Sequence, residues 1–160
     1  MKEISLGKIL IQKLECQNVE FIFGIPGVHT VELYRALSES KIRHITARHE
    51  QGAGFMADGY ARISGKPGIC LVITGPGVTN ILTAMAQARS DSIPMLVISG
   101  VNKLRNTCNQ VAPLHSLPNQ AKLVKKVAIA TYTIKKIEET QSIINKAFAK
   151  MTAGKPGPVH

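Results

Sequence analysis

Cysteine, aromatic rings and acidic side chains are all scarce in this 160-residue chain. Three cysteines, Cys16, Cys70 and Cys108, stand far apart with no Cys-x-x-Cys among them. An odd number at that spacing excludes a disulfide framework and a zinc knuckle. Tryptophan is absent and aromatic residues make up 4% of the chain, so there are few platforms on which nucleic-acid bases could stack. Long apolar runs are missing as well. The run Ile69–Ile73 ends at Thr74, far short of the roughly 20 residues a membrane-spanning helix needs. Met1-Lys2-Glu3-Ile4 does not open a secretory signal. These absences point to a cytoplasmic setting and one domain, with Cys70 in the core and Cys108 in a polar loop.

The deficit of acid is uneven. Ten Asp and Glu face twenty Lys and Arg, for a formal net charge of +10. Residues 1–100 carry a net +2 and residues 101–160 a net +8. Such asymmetry is one footprint of a nucleic-acid or acidic partner. Here the lysines are spread through amphipathic segments, as on ordinary solvated faces. No nucleic acid and no membrane is expected as a partner.

Several catalytic signatures are also missing. Gly75-Pro76-Gly77 begins like a dinucleotide loop, but Asn80 stands where the third glycine belongs. There is no Gly-Lys-Ser/Thr loop and no Gly-x-Ser-x-Gly, and His49-Glu50 continues as Gln51-Gly52-Ala53 rather than as a zinc-binding helix.

What is present is an alternation of two periodicities. Leu6, Ile9, Leu10 and Leu14 recur at helical spacing behind Ser5, a candidate N-cap. Val19–Phe23 is a β-prone run that ends in the turn Gly24–Gly27. Thr30, Leu33, Tyr34 and Leu37 form a second helical stripe, Ile42–Thr46 a strand, and Ala53, Met56, Ala57, Tyr60 and Ala61 a third helix stopped by Gly65–Gly68. The continuous run from Ile69 to Thr74 reads as a strand buried on both faces. A helix is expected near Thr79–Arg89, a strand at Met95–Ser99, a polar loop from Gly100 to Gln120, and a last helix through Ile137, Ile144, Phe148 and Met151. The fold class is α/β, a parallel sheet flanked by helices on both faces. Gly154–His160 reads as a turn entering one more strand, which implies a piece of a longer chain.

In such sheets ligands gather beyond the C-terminal strand ends. Three ends are marked here, Gly24–Gly27, Arg48–Gly54 and Thr74–Asn80. Glu50 is the ionisable residue of most interest. It reads either as a first-turn glutamate favoured by the helix dipole or as a partly buried carboxyl tuned for proton work.

Phe23-Gly24-Ile25-Pro26-Gly27, Arg48-His49-Glu50-Gln51-Gly52-Ala53 and Met56-Ala57-Asp58-Gly59-Tyr60-Ala61-Arg62 together resemble thiamine diphosphate enzymes of the acetolactate synthase type. Gly65–Gly68, Thr74–Asn80, Asp91-Ser92-Ile93-Pro94-Met95 and Lys155-Pro156-Gly157-Pro158-Val159 continue that ordered series, from about Leu6 to His160. The resemblance implies a pyrimidine-binding domain over residues 1–160 of a larger 2-oxo acid decarboxylase or carboligase. In that family the glutamate at the position of Glu50 hydrogen-bonds N1′ of the cofactor's aminopyrimidine. The proton shared there favours the imino form whose 4′ nitrogen removes the C2 proton of the thiazolium.

By the same resemblance Pro26, Gly27, Thr74 and Asn80 would face the cofactor, Asn80 reading equally well as a helix cap. Gly75 and Gly77 read as backbone-geometry residues. Magnesium and the diphosphate would belong to a separate C-terminal domain, and this chain alone would bind no metal and turn nothing over. FAD is possible in the intact enzyme, and the family implies a homo-oligomer with sites between subunits.

Leu114–Gln120 departs from the Phe-Gln-Glu element of acetolactate synthases. Together with Gly27–Tyr34, it looks more like the branch that holds 5-guanidino-2-oxopentanoate decarboxylases. His115 there reads as a catalytic or substrate-positioning imidazole, or as a surface-loop histidine. His29 reads as a helix-start residue and His49 as a neighbour of Glu50. The alternative function is a free-standing module of the same fold, used for assembly without catalysis.

Overall fold

A computed structural model describes residues 5–101 and 114–160. Cys108 and most of the expected 100–120 loop lie outside the described residues. Strands β1 (Phe21–Gly24), β2 (Arg43–Thr46), β3 (Gly68–Val72), β4 (Met95–Ser99) and β5 (Pro158–Val159) form one sheet in the order β2-β1-β3-β4-β5. Every pair is parallel. Helix α1 (Leu6–Cys16) precedes β1, and the parallel arrangement follows from the helices between strands: α2 (Val31–Leu37), α3 (Glu50–Ser64), α4 (Pro76–Ser90), α5 (Gln120–Val124) and α6 (Thr140–Thr152).

The two faces of the sheet are sorted by the period of two along each strand. Ile69 and Leu71 of β3, Leu96 of β4 and Ile22 of β1 point to one side, where Leu10 and Leu14 of α1, Leu37 of α2 and Ile144 and Met151 of α6 cover them. Cys70 and Val72, Met95 and Val97, and Phe23 point to the other, under Ala53 and Ala57 of α3, Val78, Ile81 and Met85 of α4 and Val124 of α5. Every residue of β3 is buried, which is why its sequence runs apolar without alternation. Each fully buried Leu, Ile or Met contributes about 1.5–3 kcal/mol relative to an exposed one.

Local signals set the helix ends. Ser5 caps α1 by accepting from the Lys8 backbone N–H at 3.3 Å. Gly65, at φ 71°, ends α3 in the left-handed conformation that glycine takes at no steric cost. The helix expected near Thr79 begins earlier, at Pro76, because proline's fixed φ suits a first turn. The expected loop ends where the short helix α5 begins, at Gln120, and the sequence shows no helix there, since five residues are too few to show a period.

Strand order places the site. The chain passes from β1 outward to β2, then returns to lay β3 on the other side of β1. The connections after β1 and after β3 therefore part company at neighbouring strand ends and leave a crevice between them. Helix α2, after β1, lies on one face, while α3 and α4 lie side by side on the other.

Candidate active site

Glu50 is the first residue of α3, and only 8% of it is exposed. His49 caps that helix, its Nδ1 accepting from the Gln51 backbone N–H at 3.1 Å. The carboxyl thus belongs to the first turn of a helix, where negative charge is favoured. Glu50 is a first-turn acid, and it is buried.

Asn80 comes from the next βα connection. It is the fifth residue of α4 and not its cap, which is Gly75. Its Nδ2 donates to Glu50 Oε2 at 2.9 Å. Neither residue could reach the other without the close packing of α3 on α4. A Cβ on Gly54 of α3 would overlap Ala84 Cβ and lie 3.1 Å from Ile81 Cγ1 of α4, so the absence of a side chain there sets the helix separation. Gly77 leaves room beside the carboxyl: a Cβ there would stand 3.6 Å from Glu50 Oε1 and 2.9 Å from Ile73 Cγ1.

The turn after β1 joins the same crevice. Thr30 is buried and its Oγ1 donates to the Gly27 carbonyl at 3.0 Å, holding Pro26 and Gly27 in place. A Cβ on Gly27 would overlap Ile73 Cγ2. Pro26 is exposed at the rim. Thr74 is buried, and its hydroxyl is committed to Gln120 Oε1 at 2.7 Å. Gln120 Oε1 also accepts from the Gly75 N–H at 2.9 Å, while Gln120 Nε2 donates to Ser99 Oγ at 3.1 Å. Gly75 has φ 64°, and a Cβ there would collide with the His115 carbonyl. Gly75 and Gly77 are thus backbone-geometry positions, as expected. His115, at φ 55°, meets His29 edge to face with ring centroids 5.8 Å apart.

The structure therefore bonds Asn80 to Glu50, sets Gly27 and Gly77 against the same Ile73, ties Thr74 to Gln120 and lays the His115 carbonyl against Gly75. Gln120 escaped the sequence reading. Its one signal was the Pro118-Asn119 turn just before it, and nothing in the sequence shows a partner 45 and 46 positions away.

A profile described as "Thiamine pyrophosphate enzyme, N-terminal TPP binding domain" matches residues 4–133. The chain belongs to this family. It is 48% identical to "Probable 2-ketoarginine decarboxylase AruI" of Pseudomonas aeruginosa over 99% of its own length and 28% of the relative's. It is 39% identical to "Acetolactate synthase isozyme 1 large subunit" of Escherichia coli, again over 99% of the chain and 28% of the relative. It is 40% identical to "Acetolactate synthase catalytic subunit, mitochondrial" of Saccharomyces cerevisiae, over 96% and 22%. The chain spans about a quarter of the length of the curated relatives it matches.

The crevice fits an aminopyrimidine. It offers one buried carboxyl, an oxygen of that carboxyl beside Gly77, which has no side chain, and the apolar Ile73 next to both Gly27 and Gly77. A flat ring with a basic edge nitrogen needs those features.

Proposed function

We propose that this chain is the pyrimidine-binding domain, over residues 1–160, of a thiamine diphosphate-dependent enzyme that decarboxylates 2-oxo acids, with or without carboligation. The observation that carries the reading is the buried Glu50 carboxyl, held on one oxygen by Asn80 at 2.9 Å and with the other beside Gly77. Glu50 would share a proton with N1′ of the ring. Asn80 would fix which carboxyl oxygen does so and at what angle. Pro26 and Gly27 would border the ring, and Thr74 would hold the wall beneath it. His115 would position substrate or move a proton at the crevice mouth. When bound, thiamine diphosphate supplies a carbon nucleophile that adds to the carbonyl of the 2-oxo acid and takes up the electron pair left by carbon dioxide.

Decarboxylation of 5-guanidino-2-oxopentanoate is favoured over acetolactate formation. The 48% identical relative is described as a probable 2-ketoarginine decarboxylase, and Leu114-His115-Ser116 replaces the Phe-Gln-Glu element of the synthases. Magnesium would be held by residues outside this chain, and FAD would sit outside it too. Homo-oligomerisation is supported by helix α3, whose outer side carries Phe55, Met56 and Ile63, the last 92% exposed. A second copy of the enzyme covering that stripe would close the crevice that Glu50 heads. The free thiols of Cys16 and Cys70 suit a cytoplasmic setting.

The test is carbon dioxide release by the full-length gene product with thiamine diphosphate and magnesium, from pyruvate, 2-oxobutanoate and 5-guanidino-2-oxopentanoate. Release from the last that depends on the cofactor supports the reading. No release from any of the three, by protein shown to bind the cofactor, refutes it.

A further inference from the structure

We propose that Gln120 is a positioning residue for Glu50, acting through the turn that starts α4. The proposal rests on the reading of Glu50 as the partner of the aminopyrimidine. One side-chain amide engages three groups from the ends of two adjacent strands. Its oxygen accepts from Thr74 Oγ1 at 2.7 Å and from the Gly75 N–H at 2.9 Å, and its nitrogen donates to Ser99 Oγ at 3.1 Å.

Those contacts fall on the turn that starts α4. Gly75 sits at φ 64° and ψ −111°, in a conformation that only glycine adopts readily, and no side chain caps the helix it begins. Its carbonyl accepts from the Thr79 N–H at 2.9 Å and closes the first turn of α4. Asn80 follows directly. A rotation at Gly75 therefore swings the first turn of α4 and with it the amide that holds Glu50 Oε2. The Gln120 oxygen pins the N–H of Gly75 and the hydroxyl of the residue before it. The same connection lays the His115 carbonyl against Gly75, so the clamp also couples the segment bearing His115 to the pyrimidine side of the site.

A simple staple between β3 and β4 would lower thermal stability and leave Glu50 alone. A positioning role makes different demands. In the full-length protein, Gln120→Met should speed amide deuterium exchange of the 74–80 segment at least tenfold without cofactor. It should also slow hydrogen exchange at C2 of bound thiamine diphosphate at least tenfold. Gln120→Glu, which keeps an acceptor for Thr74 and Gly75, should return C2 exchange to within threefold of the native rate. In an Asn80→Leu background, Gln120→Met should slow C2 exchange less than twofold further, because its effect passes through Asn80. Should Gln120→Met not fold, Thr74→Val, which removes one of the two donors, is put through the same cycle and must show the same absorption by Asn80→Leu.

Unchanged C2 exchange in Gln120→Met, or a loss fully additive with Asn80→Leu, overturns the proposal while Glu50→Gln still slows exchange. If Glu50→Gln itself leaves exchange unchanged, the reading of Glu50 falls and the positioning role falls with it.

Discussion

Asn80 Nδ2 stands 2.9 Å from Glu50 Oε2, across 30 positions of sequence and between two helices that follow different strands. That single bond ties the first turn of α3 to the second turn of α4. It makes the orientation of a buried acid depend on the packing of two helices rather than on the acid's own neighbours.

Glu50→Gln is the direct test of the acid. Gln has the same shape and still offers Asn80 an oxygen, so the fold should stand and the melting temperature should move little. Without a carboxyl to share the proton, C2 hydrogen exchange of cofactor bound to the full-length protein should fall by about a hundredfold or more. Exchange followed by NMR after acid quench reads this out. A native rate would remove Glu50 from its role.

Asn80→Leu keeps the volume and deletes the donor. Hydrogen bonds to charged groups contribute about 1.5–3 kcal/mol, so C2 exchange should slow about tenfold or more. Cofactor affinity, measured by fluorescence quenching, should change far less than the exchange rate. Loss of affinity with a native exchange rate would mean that Asn80 binds the ring and does not orient Glu50.

Gly54→Val tests the helix contact behind the pair. Its side chain would wedge against Ala84 and Ile81 of α4. Overpacking of this kind costs about 1–3 kcal/mol, seen as a lower urea midpoint. Because the wedge parts α3 from α4, C2 exchange should suffer more than the midpoint alone implies. Gln12→Ala, exposed on α1 over the opposite face of the sheet, is the control and should leave both readouts unchanged.

A pH dependence follows from His160. Its Nε2 meets Ser99 Oγ at 2.8 Å, and burial of the imidazole pushes its pKa down from 6.5 to about 4. The folded state thus favours the neutral ring, and the unfolded state binds more protons between those two values. The stabilisation is complete above pH 6.5 and is lost as pH falls toward 4. Between pH 6.5 and 5 the loss should approach about 2 kcal/mol. Urea midpoints at pH 7 and pH 5 should differ by more for the native chain than for His160→Asn. Equal differences would place the pH dependence elsewhere.

Much of the architecture was legible because its signals are local. Ile69–Val72 run apolar because both sheet faces are covered, Gly65 ends a helix by its φ, and Ser5 caps one with its hydroxyl. The start of α4 was misjudged by three residues, since Thr79 looks like a helix opener and Pro76 does the work. Helix α5 was not legible, because a single turn has no period. Glu50 stood out from its place between a strand and a helix rich in small residues. Gln120 did not, because a lone glutamine after a proline turn looks like any surface residue.

What the amino-acid order determined alone is the alternation of strand and helix, the doubly covered sheet and the acid at the head of α3, since each depends on residues within one or two turns of one another. The tertiary structure decided the rest. It set the reversal of strand order that opens the crevice, the reach of Asn80 to Glu50, and the grip of Gln120 on Gly75. Those contacts join residues 30 to 46 positions apart, and only close packing of whole elements brings such distant side chains within hydrogen-bond range.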